Sequence, residues 1–189
     1  MFKGIKEIKS LIKEIKKDKS NLKDEQGRKI VNIAIKDDSN FLSSYLINNE
    51  EVISTETEEF LKHCVKHLHH NDKIHFVISS NQIDDNEKKV YPEAIKNYFG
   101  SEILEITRQL RHNIILSLIM LFIGACFFAL AIIMEHLQMQ SVLLNVTDVV
   151  AWVFVWEAVD IYALQRTILK INRKRAMNLM NAKISFKDL

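Results

Sequence analysis

Two long apolar runs dominate the second half of the chain. Residues 114–134 contain no Asp, Glu, Lys or Arg. A hydrocarbon core of about 30 Å is crossed by about 20 apolar helical residues, and this run has that length. Residues 142–164 form a second run, nearly as long, that carries Asp148, Glu157 and Asp160. The pattern predicts a two-helix transmembrane hairpin with spans over about 114–134 and 142–164. A buried hairpin of a soluble protein fits poorly with so long an uncharged run.

Ahead of the hairpin the periodicity is that of a small folded domain. Phe2, Ile5, Ile8, Leu11, Ile12 and Ile15 recur at helical spacing, with Lys3, Lys6, Lys9, Lys13 and Lys16 between them. Residues 1–20 therefore read as a basic amphipathic helix. It can lie on anionic lipid, dock another subunit or pack on its own domain. Residues 18–27 are polar, end in Gly27 and read as a linker.

Residues 30–35 are β-branched in partial alternation and predict a strand; residues 51–54 are a second candidate. Thr55 with Glu58 fits a capping box that opens a helix, whose apolar stripe is Phe60, Leu61, Cys64, Val65 and Leu68. Residues 73–79, with Ile74, Phe76 and Ile78 alternating, predict a further strand. The plan over 28–100 is a cytosolic α+β domain, strand-strand-helix-strand, compatible with a ubiquitin-like roll. A helical region opens at Asp84 with acidic residues. Pro92 would kink or restart it, Gly100 allows a break, and residues 101–165 run into the membrane without a linker. Residues 166–189 form a basic cytosolic tail in which 184–186 could add an edge strand.

Charge distribution orients the hairpin. The net charge of +2 and the mean hydropathy of −0.04 average over very unlike regions. Arg108 and Arg111 precede the first span, and Arg166, Lys170, Arg173, Lys174 and Arg175 follow the second. The intervening turn, 135–140, holds no Lys or Arg. By the positive-inside rule both termini are cytoplasmic. Cys64 and Cys126 are far apart and Cys126 lies in the first span, which argues against a disulfide framework. The N-terminus has no apolar core of signal-peptide length. Richness in Ile, Lys and Asn points to a bacterial source, so the expected location is the bacterial cytoplasmic membrane.

Three constellations could carry chemistry. His63, His67 and His70 would share a helix face, and helical His pairs can bind zinc. With no accompanying carboxylate motif, a solvated polar face is favoured and no metal or cofactor is expected. Glu157 and Asp160, three apart, would share a face inside the second span. They would line an ion path or, as favoured, pair with Arg166, Arg108 or Arg111. Asp148 is placed at the outer interface, with Asn145 and Thr147 as caps. Ala125 and Ala129, with Gly124 beside them, allow close helix approach. The basic tail is explained by membrane orientation, not by nucleic acid.

The arrangement is similar to that of uncharacterised bacterial two-span membrane proteins. The stretches that carry the likeness are 41–45, 83–87 with Tyr91, Ala94 and Ile95, and 156–161. It implies a class without an assigned activity or site.

The expected function is a non-enzymatic, membrane-anchored interaction or regulatory module. Its expected partners are the bilayer and either further copies of itself or another membrane protein. The rivals are an oligomeric ion channel using Glu157 and Asp160, and a metal-dependent membrane enzyme using the histidines.

Overall fold

The computed structural model describes residues 23–47 and 49–187. The expected N-terminal helix, with its five spaced lysines, lies outside the described residues. The element order is β1 (Lys29–Ala34), α1 (Thr55–Val65), β2 (Ile74–Ser79), α2 (Glu87–His136) and α3 (Ser141–Val159). A π-helical turn (Asp160–Gln165) follows, then α4 (Arg166–Met180) and β3 (Lys183–Lys187). The chain divides into two compact units. One holds the residues up to Ile103 together with those from Lys174 onward; the other is Leu104–Arg173.

The first unit is built on a three-stranded sheet in the order β1-β2-β3. Both pairings are parallel, Ile30 opposite His75 and Val77 opposite Ser185. Parallel neighbours need a crossover connection. Between β1 and β2 the crossover contains α1. Between β2 and β3 it contains the entire apolar part of the chain. β2 is central and covered on both faces, so Ile74, His75, Phe76 and Ile78 are all buried, as parallel strands generally are. Ile33, Leu61, Val65, Tyr91, Ile95, Phe99 and Leu179 are among the residues that join it in the core. The Phe41 and Tyr91 rings stack at 4.1 Å between centroids.

Local chemistry sets the helix starts. Ser54 is the N-cap of α1, and its hydroxyl accepts from the Thr57 N–H at 3.2 Å. The cap is thus one residue earlier than the expected Thr55–Glu58 box. A reciprocal box stands before α2 instead. Asp84 Oδ1 accepts from the Glu87 N–H at 2.7 Å, and Glu87 Oε2 accepts from the Asp84 N–H at 2.8 Å.

Several expectations need correction. Residues 51–54 form no strand; Ile53 makes only an isolated bridge to Leu42. With that strand missing and every strand pairing parallel, nothing in the sheet supports a ubiquitin-like roll. α2 runs through Pro92 and Gly100 as one helix of 50 residues. Pro92 lies near its start, where the missing N–H removes a single bond. Residues 166–189 are not merely a tail: α4 contributes Ala176 and Leu179 to the core, and β3 completes the sheet.

In the second unit, α2 and α3 run antiparallel against each other. Gly124 meets Ala151 and Val155, and the Phe127 and Phe154 rings stack at 5.7 Å. Farther along, Met134 meets Thr147. The seam is made of small residues at a seven-residue period: Ser117, Gly124 and Ala131 on α2, Ala151 and Ala158 on α3, all buried. A seven-residue repeat keeps one stripe facing a partner helix. A Cβ on Gly124 would stand 2.9 Å from Val155 Cγ2 and 3.2 Å from the Ala151 carbonyl oxygen, so the close approach requires glycine there. Ala125 and Ala129 face outward and take no part in it. The connecting turn places Gln138 in the left-handed region, φ 51°.

Both helices are long and apolar enough to cross a membrane, and only 11% of each apolar stretch is buried within the chain. Phe122, Trp156 and Val142 are about 70% exposed (71%, 69% and 69%). A soluble core helix would bury such side chains.

Candidate functional site

One connected set of polar groups in the second unit lies at the ends of the helices that bear the arginines. Asp160 begins the π-helical turn. In an α-helix, two residues five apart lie about 140° around the axis. The wider π turn, with its i→i+5 bonding, brings them closer together around the axis. Gln165 Nε2 thereby donates to Asp160 Oδ2 at 3.1 Å. Asn113 Nδ2 of α2 in turn donates to Gln165 Oε1 at 3.5 Å. Asp160 is thus held by the Gln165 amide, not by arginine. Arg166 instead lies over the Tyr162 ring, 4.9 Å from its centroid. No ion pair joins Arg108, Arg111 or Arg166 to either carboxylate among the described residues.

Glu157 is exposed, and its side chain makes no hydrogen bond or ion pair among the described residues. The structure therefore does not bring Glu157 and Asp160 into one network within the chain. Asp148 is half-buried two turns into α3, which begins at Ser141. Thr147 does not cap that start; its hydroxyl donates to the Leu143 carbonyl at 2.9 Å. Beside the Asn113–Gln165 contact is an open groove of about 530 Å³. Arg108, Gln109, His112 and Asn113 line one wall, and Gln165, Ile168 and Leu169 line the other.

In the first unit the histidines do not share a helix face. α1 ends at Val65, so His67 and His70 lie beyond it. No group of three or more His, Cys, Asp or Glu residues is placed to hold a metal among the described residues. Burial, with His69, Lys174 and Arg175 nearby, lowers the pKa of His70. Burial raises that of the Cys64 thiol.

His75 carries the most connected polar contact, one the hydrophobic pattern did not reveal. Its Nδ1 lies 3.2 Å from Asp24 Oδ2, and its Nε2 lies 2.9 Å from Ser185 Oγ. Asp24 also receives the Arg28 guanidinium at 2.8 Å and the backbone N–H groups of Gln26 and Arg28. Partial burial works against its ionised form. The hydrogen bonds from Arg28 and Gln26 outweigh that and bring its pKa down to about 2. An acid, an imidazole and a hydroxyl in line are the parts of a nucleophilic relay. Ser185, however, lies inside a paired strand, and neither it nor His75 lines the groove or the two cavities of the first unit. The chemistry that follows directly is mechanical. A buried imidazole ties the segment before β1 to the central and edge strands.

A second polar node lies on α1. Lys62 Nζ bridges Glu58 and Glu102 at 2.6 Å each, and the Tyr98 hydroxyl donates to Glu58. Burial opposes the charge on Lys62, but the two carboxylates raise its pKa. A cleft of about 440 Å³ opens at the carboxyl ends of β1 and β2, lined by Ile33, Phe41, Phe60, Leu61 and Ile78 with Asp37 and Asn40. A third cavity, of about 270 Å³, includes Glu50, Glu51 and Glu93 in its lining.

No family model, no curated protein and no solved structure matches the chain.

Proposed function

We propose that the protein is a membrane-anchored interaction or regulatory module of the bacterial cytoplasmic membrane. It holds an α/β domain at the cytoplasmic face on a hairpin inserted within that domain. The observation that carries the reading is the pairing of β3 with β2. β2 precedes both apolar helices in sequence and β3 follows them. Strands of one sheet cannot lie on opposite sides of a bilayer, because backbone hydrogen bonds do not bridge it. Both flanks of the hairpin then share one side. The basic residues at those flanks support the cytoplasmic side.

Glu157 supports self-association. A carboxylate exposed on an apolar helix costs at least a few kcal/mol in hydrocarbon. A second hairpin supplying a polar contact removes that cost. The exposed face that also bears Val153, one turn before Glu157, is the surface for that contact. The test is the mass of the detergent-solubilised full chain by light scattering. An oligomer that Glu157→Leu dissociates, and that Glu157→Gln preserves, is the expected result. A wild-type monomer would contradict it.

The second reading, an ion channel, is favoured by the same residue. Copies around an axis would turn Glu157 inward as a ring of carboxylates. Cation flux in liposomes that Glu157→Gln abolishes without loss of assembly distinguishes it from the structural role.

A further inference from the structure

We infer that the groove beside the Asn113–Gln165 contact is a binding site for the phosphodiester headgroup of an anionic phospholipid. The inference rests on the membrane reading above. Arg108 and His112 are four apart and so share a face of α2. Both line the groove and both are exposed. Arg108 forms no ion pair among the described residues.

The neighbouring carboxylates take amide donors and not the Arg108 guanidinium. Glu105 Oε1 accepts from Gln109 at 3.2 Å, and Asp160 Oδ2 accepts from Gln165 at 3.1 Å. These contacts leave the guanidinium free to meet an external anion. The π turn matters here, because it sets Gln165 against Asn113 and so builds the polar floor between the helices.

The groove is mixed in character, and this selects the ligand class. Its exposed surface is mainly apolar, through Ile168, Leu169 and the stems of the polar side chains. A free phosphate would leave that wall wet. A phospholipid places its phosphodiester by Arg108 and its glycerol and first methylenes against Ile168 and Leu169. The position also suits it. Arg108 precedes the first apolar run and Ile168 follows the second, so the groove lies at the headgroup level of the inner leaflet. Basic pockets between helices at that level are suited to anionic headgroups.

The test uses the full chain in detergent, presented with phosphatidylglycerol or phosphatidylcholine and read by native mass spectrometry. Wild type should retain phosphatidylglycerol preferentially. Arg108→Gln should weaken that retention by about fivefold, the size of one juxtamembrane arginine's attraction to an anionic surface. Arg173→Gln, which removes the same charge outside the groove, should leave it within error of wild type. Circular dichroism of each variant should match wild type. Equal retention of the two lipids would overturn the inference, as would equal losses in the two variants. Displacement of the lipid by millimolar inorganic phosphate would also overturn it, by assigning the groove to a free anion. Extraction of the protein from membranes by carbonate without detergent would instead defeat the membrane reading itself.

Discussion

Ser185 Oγ lies 2.9 Å from His75 Nε2, and the two residues are separated in sequence by the whole of the apolar hairpin. The contact joins a strand made before the hairpin to one made after it. Folding of the first unit therefore requires that the chain leave and return.

The contact should matter for stability. His75→Ala removes the buried imidazole that Asp24 and Ser185 share, while Asp24 keeps its hydrogen bonds from Arg28 and Gln26. Each hydrogen bond lost costs about 0.5–1.5 kcal/mol net. Hydrogen exchange along β2 and β3 should quicken correspondingly, while exchange in the apolar helices stays unchanged. Unaltered protection in β3 would contradict the role given to His75.

Asp24 sets an acid limit. Its folded pKa of about 2 lies below the ordinary aspartate value of 3.8. Stability from this group is therefore present above about pH 4 and is lost as the pH falls toward 2. Asp24→Asn should lower the melting temperature of the first unit at neutral pH and flatten its fall between those pH values. A wild-type melting profile flat across that window would count against it.

Two glycines on one helix should respond oppositely. Gly124→Ala drives a methyl toward the Ala151 carbonyl and Val155, and overpacking of this kind costs about 1–3 kcal/mol. At Gly100 an added methyl meets only Met180 Sδ at 3.9 Å. Gly100→Ala should therefore stabilise, by up to about 1 kcal/mol of helix propensity. Thermal melts of both variants in detergent decide it, and equal behaviour would refute the seam.

The histidines should hold no structural zinc, since α1 ends before His67 and His70. Purified protein should carry well under one zinc per chain after dialysis. Near-stoichiometric metal that His63→Ala removes would contradict this.

Much of the fold was legible from hydrophobic pattern. The apolar runs, the alternation in β2 and the edge strand near 184–186 all followed from it. What escaped depended on long-range partners. Alternation singled out Ile74, Phe76 and Ile78 and gave His75 no place in the core, but Asp24 and Ser185 reach it from distant parts of the chain. Residues 51–54 have strand-like composition but no neighbour to pair with beyond the Leu42 bridge. The end of α1 carried no Gly or Pro signal, so the helical face was extended too far into the histidines. The packing seam was readable as Ser117, Gly124 and Ala131 at a seven-residue period. The shorter spacing of Ala125 and Ala129 drew attention away from it. The Asn113–Gln165–Asp160 chain depends on the π turn, which periodicity does not encode.

Membrane topology tests the central claim most directly. In a chain carrying Cys64→Ser and Cys126→Ser, single cysteines can be placed at Lys66, Met139 and Lys187, all exposed. An impermeant maleimide applied to intact cells should label Met139→Cys. Lys66→Cys and Lys187→Cys should stay protected until the membrane is permeabilised. Labelling of Lys187→Cys from outside while Lys66→Cys remains protected would separate β2 from β3 and contradict the account.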